Sequence, residues 1–250
     1  MNDRTVLAVS GPQRVDFLQG LVTNDVTRAA NGIVYAALLT PQGKYLADFF
    51  IVGEADRLLV DVAESHASLL LQRLTMYRLR ADVQIAPTDL IVSRGTGPAP
   101  EGALPDPRDP ALGWRLYGTQ NVSDDTDWTT LQVAHLVPAT GVDLTTETYI
   151  LEAGFDRLHG VDFRKGCFVG QEIVARMKHK TTLRKGLVRV AIDGVAQPGD
   201  EIASGDRVAG TLHTVAGSQG IAYLRFDRAT DLHTTGARLV PHAGDIPDPS

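Results

Sequence analysis

One cysteine, Cys167, is all the thiol this chain of 250 residues has. A lone cysteine cannot close an internal disulfide, so core packing must hold the fold. The length suffices for one large domain or two modest ones. Long apolar runs are also missing: none nears the roughly 18 residues that a membrane-spanning helix needs, Gly, Asp or Arg breaking each candidate. No basic start leads into an uninterrupted apolar stretch, as a secretory signal would. These absences set the expectation of a soluble protein in the reducing cytoplasm, with no membrane partner.

Familiar site motifs are absent as well. The seven histidines are scattered, with no pair at ligand spacing on a helix, so no metal site is expected. Gly95-Thr96-Gly97 runs into Pro98 and Pro100, which removes the third glycine and the helix of a dinucleotide fingerprint. No Gly-Lys-Ser/Thr loop and no Gly-x-Ser-x-Gly elbow occurs. Hydrolase, nucleotide-triphosphatase and dehydrogenase chemistry therefore have no support. A net charge of −6 argues against direct nucleic-acid binding. The charge is uneven, though: Arg157 to Arg189 carries +7 and the remainder −13. Such a stretch either meets an anionic partner or is a solvated helix face.

What is present reads as α+β. Val15 and Leu18 predict a helix over Pro12 to Gln19, with Ser10 as cap and Gly20 as stop. Ile33 to Leu39, Tyr45 to Val52 and Arg57 to Val62 predict a three-stranded meander, its turns at Pro41-Gln42-Gly43 and Gly53 to Asp56. Ala63, Ala67, Leu70, Leu74 and Tyr77 predict a second helix, followed by a strand near Val83 to Ile85. Five prolines between Pro98 and Pro110 mark a loop or linker. Trp114 to Tyr117 reads as a short strand, and Leu131 to Val137 as an apolar stretch of open type. After Lys185, short runs at Leu187 to Ile192, Arg207 to Val215, Gly220 to Phe226 and Ala237 to Val240 suit a small barrel or sandwich. The last ten residues are expected to be mobile.

The chemistry concentrates at Lys165-Gly166-Cys167-Phe168-Val169-Gly170-Gln171-Glu172, which leads into Ile173, Val174 and Met177 at helical spacing. Two glycines suggest a tight loop, with Cys167 just before a helix start. Free N–H groups there and the charge of Lys165 favour the thiolate, a nucleophile or soft metal ligand. Between Phe168 and Val169 it is equally readable as a small buried hydrophobe.

This octet resembles the signature of the YgfZ family, Lys-Gly-Cys-Tyr-x-Gly-Gln-Glu, departing only at Phe168. Phe17 to Val26 and Leu39 to Lys44 resemble the family's two N-terminal blocks, so the likeness covers nearly the whole chain. YgfZ proteins are related to the glycine-cleavage T-protein, an aminomethyltransferase. The resemblance implies a T-protein-like cloverleaf of α+β subdomains around a folate cavity with a small C-terminal β-barrel. The expected division is 1–184 for the folate-binding region and 185–250 for the barrel.

On the T-protein pattern, its Asp-Asp pair falls on Ala47 and Asp48, its folate-contacting tyrosine on Tyr35, and its Lys-Gly-Asp block on Lys165 to Gly170, with Cys167 in place of the acid. The resemblance implies Cys167 and Asp48 as catalytic candidates. It implies Tyr35, Asn24, Asp48, Lys165, Gln171, Glu172 and Arg176 as contacts to tetrahydrofolate or a derivative. Asp48 is also readable as a solvent-facing strand residue, Tyr35 as strand packing and Asn24 with Asp25 as turn formers. The function implied is tetrahydrofolate-dependent help in assembling or repairing four-iron clusters. Partners would then be assembly proteins or client enzymes, and the protein a monomer. Aminomethyl transfer and a non-catalytic folate sensor linked to tRNA modification are the alternatives.

Overall fold

A computed structural model describes residues 3–180 and 182–247. The chain forms two compact units, each from two stretches: the residues up to Thr126 with Phe155–Ile173, and Asp127–Gly154 with the chain from Val174 onward.

The first unit is built on an antiparallel sheet of five strands: β1 (Arg4–Ser10), β2 (Ile33–Leu39), β3 (Tyr45–Gly53), β4 (Arg57–Ala63) and β5 (Gln84–Pro87), in the order β2-β3-β4-β1-β5. The meander β2-β3-β4 stands within a residue of its predicted bounds. β1, unread in the sequence because its apolar run is brief, enters between β4 and β5. Helix α1 (Arg14–Gln19) starts later than expected, since Ser10 stays in β1 and Gly11 makes the turn at φ 102°. Helix α2 (Glu64–Arg78) follows β4 as predicted.

Side chains alternate across a strand, so the sheet has two unlike faces. One is apolar: Val9, Ala36, Leu38, Ala47, Phe49 and Val60 pack with Leu18 of α1 and with Leu70 and Leu74 of α2. The opposite face presents Tyr35, Asp48, Phe50 and Asp61, all buried. A second antiparallel sheet of β6 (Ile91–Gly95), β7 (Leu104–Pro105) and β8 (Trp114–Gly118), in the order β6-β8-β7, packs Val92, Leu104 and Tyr117 against Val6, Val52 and Leu59 of that face.

The proline-rich stretch is no solvated linker. It contributes β7 and two buried charged residues, Asp106 and Arg108. The Arg108 fork takes both oxygens of Asp106 at 3.0 and 2.9 Å, and Arg115 Nε donates to the same carboxylate at 3.0 Å. Arg115 Nη1 reaches Asp61 at 2.8 Å, where Arg4 Nε and the Tyr117 hydroxyl also donate. Three arginines thus serve two carboxylates on the polar face. The guanidinium of Arg115 lies 3.7 Å above the centre of the Phe50 ring.

The second unit is a closed barrel of β9 (Lys185–Gly194), β10 (Glu201–Ser204), β11 (Arg207–Ala216), β12 (Gln219–Arg225), β13 (Leu232–His233) and β14 (Ala237–Pro241), in the order β10-β11-β12-β9-β14-β13. Val188, Val190, Leu212, Ala222 and Leu224 fill it. The open stretch at Leu131 resolves into helix α3 (Trp128–Ala134), with Asp127 as its cap, packed on β11 and β12. Asp245 holds Arg189 of β9 by two hydrogen bonds of 2.8 Å, so the expected mobile tail is tied to the barrel that far; residues 248–250 lie outside the described ones. Helix α4 (Gln171–Lys180) has its first three residues in the first unit and the rest in the second. No helix among the described residues is long and apolar enough to cross a membrane.

Candidate functional site

Three stretches of the first unit, distant in sequence, meet around Cys167. The loop that carries it begins at Asp162, whose carboxylate accepts the N–H groups of Arg164 and Lys165 at 2.7 and 3.2 Å and whose own N–H donates to Thr23 O at 3.1 Å. Lys165 and Phe168 are buried, while Gly166 and Cys167 between them are exposed. The thiol is therefore not the core residue its neighbours allowed. Helix α4 begins four residues further on, at Gln171, so the thiol does not sit at the helix terminus either.

Burial draws the Lys165 amine down to about 8, with Asp25 and Asp162 pulling the other way. Its ammonium donates to Gln19 O and Val22 O, both at 2.6 Å. The far end of the loop is fixed by glycines. Gly170 has φ 85°, and a Cβ there would stand 2.7 Å from Thr40 O. Gly43 has φ 75°, and a Cβ there would stand 2.8 Å from Cβ of Ile173. The Thr40 to Lys44 turn and the second motif glycine thus meet backbone to backbone, which side chains at either glycine would prevent. Gly170→Ala is expected to cost about 1–3 kcal/mol in urea unfolding and to speed alkylation of Cys167 in the folded protein, because the loop must shift to relieve the strain.

The Phe17 to Val26 block supplies struts. Asn24 Nδ2 donates to Tyr35 O and to His159 O, each at 2.7 Å, and its Oδ1 accepts the N–H of Asp25. This bond to its carbonyl helps hold His159 in the left-handed region at φ 55°. Thr23 Oγ1 donates to Gly160 O at 2.7 Å and accepts the N–H of Ala37 at 2.8 Å. Asp25 accepts from Thr27 N and so starts the short 3₁₀ turn Val26–Asn31.

Asp48 lies on β3, 3 % exposed, and is not the solvent-facing residue that its strand position allowed. Tyr35 donates its hydroxyl to Oδ2 at 3.0 Å and Tyr45 to Oδ1 at 2.6 Å. Burial, and the neighbouring Asp48 carboxylate, push the Tyr35 hydroxyl well above the ordinary tyrosine range, which keeps it a donor. Its ring stacks on Phe155 at 5.1 Å and lies 5.4 Å below the Arg108 guanidinium. Ala47 belongs to the apolar face, where a second carboxylate would be buried among hydrophobic side chains. Tyr45→Phe is expected to cost about 1–3 kcal/mol, since it leaves the buried carboxylate short of a donor; thermal unfolding checks this.

Asp48, Tyr35, Asn24 and Lys165 therefore belong to one bonded framework behind an exposed thiol. Gln171 and Glu172 stand on the first turn of α4, Glu172 and Arg176 exposed; none of the three makes a side-chain hydrogen bond to that framework among the described residues. Sequence reading missed Tyr45 and Thr23. Tyr45, three residues before Asp48 on a strand, was open to notice as a second hydroxyl. In the barrel unit it passed over Glu152, buried, which accepts the Tyr223 hydroxyl at 2.6 Å.

This α+β architecture with a closed barrel is the T-protein fold. The chain superposes on the glycine cleavage system aminomethyltransferase T from Bartonella henselae with a TM-score of 0.74 at 13% identity, covering 99% of this chain and 85% of that one. Residues 184–246 match the family model described as CAF17, C-terminal beta-barrel domain. The iron-sulfur cluster assembly factor IBA57 homolog of Mycosarcoma maydis is 32% identical, over 74% of this chain and 54% of that protein. Its Neurospora crassa counterpart is 30% identical, over 75% and 52%. IBA57 of Mus musculus is 28% identical, over 99% and 84%. The chain spans about half the length of the two fungal relatives.

A T-protein-like fold bearing an exposed cysteine loop is the class of protein defined here. The homologues of this chain are IBA57 proteins, the eukaryotic YgfZ-like family, one of them aligning over 99% of this chain. The three IBA57 relatives are all named mitochondrial, which overturns the expected cytoplasmic setting. A lone cysteine bears on redox surroundings and does not tell one compartment from another.

Proposed function

We propose that this chain is an accessory factor in the assembly or repair of four-iron clusters, with Cys167 as its working group. The observation that carries the reading is the placement of the thiol: exposed on a turn whose two flanks, Lys165 and Phe168, are buried and whose far end is locked by Gly170. An exposed thiol on a fixed turn suits transient contact with a soft metal or another thiol. Relatives named as iron–sulfur cluster assembly factors support the same reading. Assembly proteins or client enzymes are the partners that follow from it.

Tetrahydrofolate is the cofactor in this reading. Asp48, Tyr35 and Phe155 match such a group in chemistry, a carboxylate oriented by two hydroxyls beside aromatic rings, but all three are buried against one another, so a pterin would have to open this packing to reach them. A bound pterin supplies a ring rich in N–H donors and, where loaded, a one-carbon unit. Asp48 would hold a ring N–H. Isothermal titration with tetrahydrofolate tests this part, and Asp48→Asn is expected to weaken binding by at least about tenfold, equivalent to about 1.4 kcal/mol. Equal affinity in the two proteins would remove Asp48 from the site. For the cluster role, a strain lacking this gene should regain the activity of a four-iron enzyme when the wild type is supplied. No recovery would refute it.

A further inference from the structure

A lysine two residues from an exposed thiol is ordinarily read as an activator of the thiol or a ligand for an anion. The bonding of Lys165 points to a different role. An ammonium has three N–H donors and no acceptor. Two are engaged by Gln19 O and Val22 O, at 2.6 Å each, and the third direction faces the Phe168 ring, whose centre is 5.3 Å from Nζ. The carbonyls lie at and just beyond the end of α1, where main-chain acceptors lack intrahelical partners. The nearby carboxylates have other donors: Asp25 accepts from Gln19 and Thr27, and Asp162 from Arg28 and the loop's own N–H groups.

We propose that Lys165 is a positioning residue, a latch that ties the Cys167 loop to the end of α1 and holds the Gly166-Cys167 turn at the surface. The functional weight of this assignment rests on the reading that Cys167 is the working group. It makes one device of two sequence blocks: Gln19 and Val22 serve the latch through their carbonyls, while the Gln19 side chain bonds Asp25 and the Val26 N–H and the Val22 side chain packs in the core, which fixes the local backbone path. The buried Phe168 is part of the same latch, as the ring that closes the third side of the ammonium.

Because Cys167 is the sole cysteine, iodoacetamide reads one site. The experiment follows its alkylation rate across the neutral to alkaline range, with amide hydrogen exchange over residues 162–170, in the wild type, Lys165→Met, Lys165→Arg and Phe168→Leu. The latch predicts that Lys165→Met raises loop exchange by about tenfold or more while the pH profile of alkylation keeps its position. Lys165→Arg, which can still donate to carbonyls, should recover part of the protection, and Phe168→Leu should show a smaller rise than Lys165→Met. A profile displaced to higher pH in Lys165→Met, with loop exchange unchanged, overturns the latch in favour of a thiol activator. Weakened triglutamate binding with unchanged exchange overturns it in favour of an anion ligand. Should Lys165→Met fail to fold, unchanged exchange in both Lys165→Arg and Phe168→Leu overturns it too. Full activity of Cys167→Ala in cells would sink the functional reading and leave the loop measurements standing.

Discussion

Arg115→Met is expected to destabilise the protein by about 3–5 kcal/mol in urea unfolding at neutral pH, because it removes the cation shared by two buried carboxylates and leaves each with a single arginine. Arg115 is fully buried and bridges Asp61 and Asp106. Burial alone would raise both carboxyls. Arg4 and Arg115 instead hold Asp61 below the ordinary aspartate range, and Arg108 and Arg115 do the same for Asp106. Groups with depressed folded values contribute stability above the unfolded value of 3.8 and lose it as pH falls through the folded value. The penalty in Arg115→Met is thus full at neutral pH and shrinks toward acid, where the two carboxyls take up protons. Lysine should not rescue it, since one ammonium cannot reach two carboxylates and also lie flat on Phe50. A pH-independent penalty would mean that packing alone is lost.

Phe155→Ala should cost about 3–5 kcal/mol, as large core truncations do, and toward the upper end because the site has little freedom to close. Phe155 is wholly buried against Tyr35. Gly160 lies so near that a Cβ on it would stand 2.6 Å from the Phe155 ring and 3.0 Å from that of Tyr35. Tyr35 is held on its other sides by Phe50 and by its bond to Asp48, so it cannot swing into the vacated space without leaving the carboxylate. Calorimetric unfolding measures the loss. A cost under about 1 kcal/mol would mean that the stack relaxes and that Tyr35 is not fixed by it.

Much of the fold was written locally. The meander declared itself because β2, β3 and β4 are apolar runs with turn residues between them, and four of the barrel strands did so for the same reason. The polar face did not, because its contacts are made across the sequence: Arg115 and Asp61 are 54 residues apart, and nothing near either one announces the other. Proline spacing correctly ruled out a helix over 98–110 and said nothing of Asp106 and Arg108 turning inward. Helix α3 was illegible for a different reason, since Thr129, Thr130 and Val133 are weak helix formers and packing on the barrel decides the matter. The Cys167 octet was found by resemblance. Why it has its second glycine and its lysine became plain only with Thr40 O, Gln19 O and Val22 O in view, since main-chain acceptors leave no mark on a side-chain pattern; nothing in the structure explains the glycine at Gly166.

The most direct test of the thiol's role is the activity of a four-iron-cluster enzyme in cells lacking this gene, supplied with the wild type or with Cys167→Ala, the variant first shown by calorimetry to unfold at the wild-type temperature. Recovery with the wild type and none with the variant is the expected result. Equal recovery with both would contradict it, leaving Cys167 an exposed residue without a function in cluster assembly.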